Sequence, residues 1–189
     1  MSDLPNNPAL PPAPAVNIVL IGFMGSGKSS IGRILATKLG SQLLDTDALV
    51  VEAAGMQITE IFAQKGEEAF RDYESRTLEF LRDRRASRAV IATGGGIVTQ
   101  PRNVPLLHEL GFVVLLSASE EVIYERVSRN RARPLLHTEN PRETVTQLLA
   151  SRAPLYDATA DFTVDTTYKT HTQAADAIIA EACKRYGCS

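Results

Sequence analysis

Several features that would place this protein in a membrane, on nucleic acid or outside the cell are missing from its sequence. No apolar run approaches the roughly 18 residues that a membrane-spanning helix requires. Acidic and basic residues number 22 and 20, giving a formal net charge of −2 and no broad basic surface for nucleic acid. The N-terminal segment lacks the basic start and apolar centre of a secretion signal. We therefore expect a cytoplasmic protein without a membrane or nucleic-acid partner.

Cysteine is scarce in this chain. Its two cysteines, Cys183 and Cys188, lie five positions apart near the C-terminus, with no histidine or further cysteine at zinc-binding spacing. This pattern argues against a metal site and against a disulfide framework. We expect both residues to be reduced thiols without a functional role.

Proline is concentrated at the N-terminus, where the first 16 residues hold five of the ten prolines. We interpret residues 1–16 as a disordered tail. Residues 17–189 are interpreted as a single domain, because they contain no internal repeat and no change of composition that would mark a second domain.

Short apolar runs alternate with longer stretches of helical periodicity. The runs are residues 16–21, 42–45, 88–92, 112–117 and 161–164. The helical stretches are residues 28–39, 47–54, 58–65, 66–86, 104–110, 119–128, 142–158 and 170–185. This alternation predicts a three-layer α/β/α fold around a central parallel five-stranded sheet. Residues 129–140, rich in arginine and proline, interrupt the pattern and predict a mobile loop.

One glycine-rich stretch carries the strongest functional signal. Residues 22–29 read Gly-Phe-Met-Gly-Ser-Gly-Lys-Ser, which matches G-x-x-x-x-G-K-[ST] and lies between a predicted strand and a predicted helix. Glycines let backbone N–H groups turn inward around a triphosphate, and the positive end of the helix dipole points at the same anion. We expect Lys28 to reach the β and γ phosphates and Ser29 to offer its hydroxyl to Mg²⁺. The residues expected to bind ATP here are Gly25, Ser26, Gly27, Lys28, Ser29 and Ser30. The alternative is a tight turn that binds nothing.

Two carboxylates follow the second predicted strand. P-loop enzymes usually need an acidic residue at the end of another strand to hold Mg²⁺, directly or through water. The third and fourth strands run into glycines and serines, so only Asp45 and Asp47 are suitably placed. We assign Asp45 to the Mg²⁺ shell and Asp47 to the acceptor of the phosphoryl group. Asp47 is alternatively a cap for the following helix.

Three consecutive glycines, Gly94, Gly95 and Gly96, follow the third predicted strand. They form either a flexible turn or a surface where the backbone meets a ligand, and the carboxyl edge of a parallel sheet favours the ligand surface. Arg71 and Arg152 are further candidates, although spacing alone is equally consistent with ordinary solvated arginines.

Six motifs occur together in one order and spacing. They are the loop at residues 22–29, Leu-Leu-Asp45-Thr-Asp47, Phe70-Arg71, Gly94-Gly95-Gly96, Arg133-Pro-Leu-Leu and Arg152-Ala-Pro-Leu-Tyr. The set resembles shikimate kinase over about residues 17–166. The resemblance implies a P-loop NTPase fold like that of nucleoside monophosphate kinases. It also implies transfer of the γ-phosphoryl group of ATP to the 3-hydroxyl of shikimate, a step of aromatic amino-acid biosynthesis.

The resemblance also implies roles for individual residues. The implied catalytic residues are Lys28, Asp47 and Arg133, of which Arg133 lies on a closing lid near residues 129–140 and also contacts ATP. Shikimate is held by Asp47, Arg71, Gly94, Gly95, Gly96 and Arg152. One Mg²⁺ per subunit is bound by Ser29 and, through water, by Asp45. We expect a monomer.

Three other functions compete with this one. A kinase of the same fold could act on gluconate or a nucleoside monophosphate, but the three glycines and Asp47 argue against it. A GTP-dependent switch would need an N-K-x-D guanine signature, which the sequence lacks. A catalytically silent binder has little support, because nothing expected is missing from the phosphate site.

Overall fold

The computed structural model describes residues 13–84, 88–129 and 140–188. Five strands form one sheet in the order β2-β3-β1-β4-β5, and every neighbouring pair is parallel. The strands are β1 (Ile18–Ile21), β2 (Leu43–Asp45), β3 (Val90–Ala92), β4 (Phe112–Ser117) and β5 (Phe162–Asp165). The parallel five-stranded sheet expected from the sequence is confirmed.

Helices connect these strands. They are α1 (Lys28–Leu39), α2 (Thr46–Ala54), α3 (Ile58–Asp83), α4 (Asn103–Leu110), α5 (Glu120–Ser128), α6 (Pro141–Thr159) and α7 (His171–Tyr186), with a short 3₁₀ helix at Ile97–Thr99. None of the helices in the described ranges combines the length and the hydrophobicity of a membrane span.

The core has two halves, one on each face of the sheet. On one face, Val19, Ile21 and Ile91 pack with residues of α3, α4, α5 and α6. On the other face, Ile18 and Leu20 pack with residues of α1 and α7. Successive side chains of a strand point to opposite faces, so a strand buried on both sides must be apolar throughout, as β1 is. The three-layer architecture is therefore confirmed.

Helix α3 was expected as two helices, residues 58–65 and 66–86. Ile58–Asp83 consists of two helical segments that meet at Gly66, whose dihedrals of φ 81° and ψ 175° are not helical. The break lies where the sequence predicts it, because glycine tolerates the positive φ of the kink.

The two ends of the described chain meet, which corrects two expectations. Residues 13–16, assigned to the tail, contact the fold: Pro14 forms an antiparallel bridge with Cys188, and Ala13 packs on the core. Cys183 and Cys188, expected as free thiols, form a disulfide with their Cα atoms 4.9 Å apart. Gly187, at φ 75°, ends α7 and turns the chain back toward Cys183. Residues 1–12 of the predicted tail and residues 130–139 of the predicted lid lie outside the described residues.

Candidate active site

The glycine-rich loop at residues 22–29 joins β1 to α1. Gly27, at φ 101°, is the N-cap of α1, a conformation that a residue with a Cβ rarely adopts. A Cβ on Gly22 would lie 2.4 Å from the carbonyl oxygen of Leu116, so glycine is required there as well. The Nζ of Lys28 donates to the carbonyl oxygens of Gly22 (2.7 Å) and Phe23 (2.9 Å). The ammonium group thus lies against the loop whose amide groups would receive phosphate.

The remaining loop residues differ in exposure. The hydroxyl of Ser26 is buried and has no hydrogen-bond partner among the described residues. Ser29 is exposed and Ser30 half-buried at the start of α1. Both lie in its first turn, where backbone N–H groups and the helix dipole favour an anion.

Ser29 and Asp45 bring two oxygen atoms together beside the loop. Ser29 Oγ lies 3.5 Å from Asp45 Oδ2. The other oxygen of Asp45, Oδ1, accepts hydrogen bonds from the backbone N–H groups of Asp47 (3.0 Å) and Ala48 (3.3 Å). Asp45, rather than Asp47, is therefore the cap of α2.

This oxygen pair suits Mg²⁺. In the described ranges no group of three or more acidic, histidine or cysteine side chains could hold a metal ion. Mg²⁺ is commonly bound by only one or two protein oxygens together with water and substrate phosphates. A hydroxyl and a carboxylate next to a phosphate-binding loop match that requirement.

Each of the three glycines after β3 meets a different part of the site. A Cβ on Gly94 would lie 2.6 Å from Asp47 Oδ1 and 2.7 Å from Glu74 Oε1. A Cβ on Gly96 would lie 2.1 Å from Nη1 of Arg71. The turn is therefore a surface of close approach, and its lack of side chains lets Asp47, Glu74 and Arg71 reach the backbone.

The middle glycine joins this turn to α6 and to the phosphate loop. The carbonyl oxygen of Gly95 accepts hydrogen bonds from Arg152 Nη1 (3.2 Å) and from the hydroxyl of Tyr156. A Cβ on Gly95 would lie 3.2 Å from the backbone nitrogen of Met24. The structure thus brings Asp47, from α2, together with Arg71, from α3, and Arg152, from α6, around one turn beside the phosphate loop.

Arg71 is buried and fixed by two glutamates. Its side chain forms ion pairs with Glu74 (Nη1–Oε2, 2.7 Å) and with Glu67 (Nη2–Oε1, 2.9 Å). Burial alone would lower the pKa of Arg71, but the charge of Glu74 and the hydrogen bonds to both glutamates outweigh it and raise the pKa. Arg71 therefore stays charged, as recognition of a carboxylate requires.

For Glu74, the effect of burial on the pKa outweighs that of the neighbouring charge. Burial raises the pKa of this carboxyl group more than the neighbouring Arg71 lowers it, and the charge of Asp47 raises it further. Its Oε1 is buried and has no hydrogen-bond partner within the described part of the chain. A buried carboxylate oxygen that faces the glycine turn is available to a ligand hydroxyl.

Sequence reasoning missed three residues of this region. Glu74 could have been found, because residues three apart on a helix are neighbours and Arg71 needs a partner if buried. Tyr156 could have been found by the same rule, because it lies four positions after Arg152 on α6. Burial raises the pKa of its hydroxyl to about 12. Arg126 carries no sequence signal. Its guanidinium bonds the carbonyl oxygens of Gly25 (3.3 Å) and Thr166 (3.1 Å), which are far apart in sequence.

Arg133, predicted to contact ATP from the lid, lies outside the described residues.

A phosphate loop next to a cluster of buried and half-buried arginines and carboxylates, at the edge of a parallel sheet in an α/β fold, defines a small-molecule kinase of the P-loop class. Residues 24–183 match the family model described as shikimate kinase. The shikimate kinase of Thermodesulfovibrio yellowstonii is 46% identical over 165 residues, which cover 87% of this chain and 94% of that protein. The shikimate kinase of Geobacter sulfurreducens is 47% identical over 158 residues, 84% of this chain and 86% of that protein.

A solved structure gives the same result. Shikimate kinase from Acinetobacter baumannii, in complex with shikimate, is 37% identical, with a TM-score of 0.83 over 94% of this chain and 95% of that chain. The chain belongs to the shikimate kinase family. The resemblance inferred from the six motifs is confirmed.

Proposed function

We propose that this chain transfers the γ-phosphoryl group of ATP to the 3-hydroxyl of shikimate, giving shikimate 3-phosphate and ADP in the chorismate and aromatic amino-acid pathway. The observation that carries the proposal is the convergence of Asp47, Arg71 and Arg152 on the glycine turn, which itself contacts the phosphate loop. Donor and acceptor sites are thus adjacent, as direct transfer requires.

The acceptor pocket suits a small acid that carries several hydroxyl groups. The guanidinium groups of Arg71 and Arg152 would pair with the carboxylate, because a planar fork of donors fits two carboxylate oxygens. Asp47 would accept hydrogen bonds from substrate hydroxyls, and backbone groups of Gly94, Gly95 and Gly96 would complete the pocket. Analogues without those hydroxyls should bind poorly, because the buried polar groups would then lack partners.

On the nucleotide side, backbone amides of residues 25–30 would hold the phosphates, with Lys28 on the β and γ groups. Ser29 would bind Mg²⁺ directly and Asp45 through a water molecule. When bound, the ion neutralises charge on the phosphate oxygens. Arg133, for which the structure gives no geometry, is proposed to contact the transferred phosphoryl group from the lid.

Phosphoryl transfer passes through a loose transition state, so little proton abstraction is needed before the bond to the leaving group breaks. Asp47 would orient the hydroxyl toward the phosphorus and accept its proton late. Lys28 would neutralise charge that develops on the phosphoryl oxygens. These two residues and Arg133 are the proposed catalytic set.

We further propose that the chain acts as a monomer in the cytoplasm. The residues Asp47, Arg71 and Arg152 meet within one copy of the chain, which supports a monomer. The cytoplasm also supplies the co-substrate ATP.

The experiment that tests this function is a coupled assay of ADP release. Wild-type protein should release ADP only when both ATP and shikimate are present, and gluconate or nucleoside monophosphates should not replace shikimate. Asp47→Asn should lower kcat at least about a hundredfold, the range in which a positioned acid–base group acts. Equal activity of wild type and Asp47→Asn would remove the role assigned to Asp47. Turnover of gluconate without shikimate would replace the proposed acceptor.

A further inference from the structure

A buried polar pair joins two of the helices that surround the acceptor pocket. Ser75, on α3, is 1% exposed and Asn103, at the start of α4, is 0% exposed. Their side chains share a hydrogen bond of 2.6 Å between Ser75 Oγ and Asn103 Oδ1. Both residues are closed off from solvent, and none of the motifs in the sequence includes them.

The pair connects the backbone at two points of the pocket. On one side, Ser75 Oγ lies 3.1 Å from the carbonyl oxygen of Arg71. On the other side, Asn103 Nδ2 donates to the carbonyl oxygen of Ile97 at 2.8 Å, directly after the glycine turn. Two hydrogen bonds, Ser75–Asn103 and Asn103–Ile97, thus join α3, one turn beyond Arg71, to the residue that follows Gly96.

These hydrogen bonds allow only one favourable orientation of the Asn103 amide and the Ser75 hydroxyl. Asn103 must point its NH₂ group at the carbonyl oxygen of Ile97, so its oxygen must face Ser75. The hydroxyl of Ser75 then donates to that oxygen, which is the nearer of its two acceptors. Rotating the amide would set two oxygen atoms against each other inside the protein, at a cost typical of unsatisfied buried polar groups.

The side chain of Arg71 and the backbone of Gly96, which this hydrogen-bonded link holds in place, lie very close together. Nη1 of Arg71 occupies space only 2.1 Å from where a Cβ on Gly96 would be. A small shift of α3 relative to the glycine turn would therefore change the place at which a substrate carboxylate can meet both the guanidinium and the turn.

We propose that Ser75 and Asn103 are positioning residues that fix the distance between Arg71 and the glycine turn, and so set the affinity for the carboxylate of the acceptor. The proposal rests on the proposed function. It predicts an effect on shikimate and not on ATP, because the pair touches neither the phosphate loop nor α1.

Helix α3 offers a matched control. Thr77 is also buried, at 6% exposure, and its hydroxyl donates to the carbonyl oxygen of Tyr73 within the same helix at 2.8 Å. Thr77→Val removes a buried hydroxyl from α3 without cutting the connection to Ile97. Comparing it with Ser75→Ala separates the lost connection from a general loss of packing or helix stability.

The test measures KM for each substrate in Ser75→Ala, Asn103→Leu, the double variant and Thr77→Val, at a temperature where all four are folded. We expect Ser75→Ala to raise KM for shikimate about tenfold, because misplacement by a fraction of an ångström already weakens oriented binding. KM for ATP should stay within about twofold, and the double variant should resemble Asn103→Leu, since both changes cut one connection. Thr77→Val should shift neither KM.

A second readout does not depend on catalysis. Amide hydrogen exchange of residues 94–99 should become faster in Ser75→Ala and stay as in wild type in Thr77→Val, whether or not shikimate is the true acceptor. If Ser75→Ala does not fold, Ser75→Cys, which retains a weak donor, takes its place with a smaller expected shift. Equal rises in both KM values, the same effect in Thr77→Val, or unchanged exchange at residues 94–99 would each overturn the proposal. If shikimate does not stimulate ADP release by the wild-type protein, the proposed function is overturned instead.

Discussion

Glu74 Oε2 lies 2.7 Å from Nη1 of Arg71, and both side chains are buried. A buried ion pair of this kind adds little to stability over an apolar pair, but losing one partner is costly because an uncompensated charge remains. The main effect of Glu74 is therefore to keep Arg71 charged and oriented in the pocket, and its effect on the stability of the fold is secondary.

Glu74→Ala should lower the free energy of unfolding by about 3–5 kcal/mol, the cost of leaving a buried guanidinium without its partner. Glu74→Gln should lower it less, because the amide oxygen can still accept from Arg71. Urea denaturation of the three proteins checks the order. A Glu74→Ala protein as stable as wild type would mean that Glu67, at 65% exposure, compensates fully.

Glu74 should also make stability depend on pH in a defined direction. A carboxyl group with a higher pKa in the folded than in the unfolded protein keeps its proton longer when folded. Its contribution is therefore complete below the unfolded pKa, ordinarily 4.5, and is lost as the pH rises through the folded pKa. Glu74→Gln cannot titrate, so its free energy of unfolding should lack this part of the decline. Parallel curves for wild type and Glu74→Gln above pH 4.5 would contradict the raised pKa.

This ion pair and its neighbours show which parts of the site a sequence can predict. The phosphate loop and β1 were predictable because their signals are local: an apolar run, then glycines at fixed positions, then a helix. The cap of α2 stayed open in the sequence, with Asp47 as an alternative, because two carboxylates two residues apart are equivalent until the backbone shows where the helix begins. The strand ends at Asp45, so that residue caps the helix and Asp47 turns toward the glycines. Contacts such as that between Arg126 and Gly25 join residues 101 positions apart and leave no trace in a single sequence.

Arg126→Ala should raise KM for ATP about tenfold and leave KM for shikimate unchanged. The guanidinium bonds Gly25 of the phosphate loop and Thr166 after β5, and bonds from a charged donor are each worth about 1.5–3 kcal/mol. Arg76→Ala is the control, because Arg76, on α3, is 71% exposed and forms its ion pair with Asp72 of the same helix. Initial rates at varied ATP and fixed saturating shikimate give the comparison. An equal effect of both substitutions would show that only surface charge matters.

The disulfide between Cys183 and Cys188 should stabilise the fold without affecting catalysis. It joins the last turn of α7 to Cys188, next to Pro14, while the site lies at the carboxyl ends of the strands. Closing a loop of this length restricts the unfolded chain by about 2 kcal/mol. Cys183→Ser should therefore lower the melting temperature of oxidised protein and leave kcat unchanged. Under reducing conditions wild type and variant should melt together; a difference that persists there would come from packing of the thiol instead.

Asp45 combines two roles that substitution can separate. Its Oδ1 caps α2, while its Oδ2 faces Ser29, where Mg²⁺ is proposed to bind. Asparagine is as good a helix cap as aspartate, so Asp45→Asn should retain the melting temperature but require more Mg²⁺ for half-maximal activity, because the negative charge is gone. Asp45→Ala should lose both roles and cost about 1 kcal/mol of stability in addition. Thermal melts and Mg²⁺ titrations of the three proteins make the separation visible. An Asp45→Asn protein with the Mg²⁺ requirement of wild type would restrict Asp45 to capping, and the ion would then have to be held by Ser29, water and the phosphates.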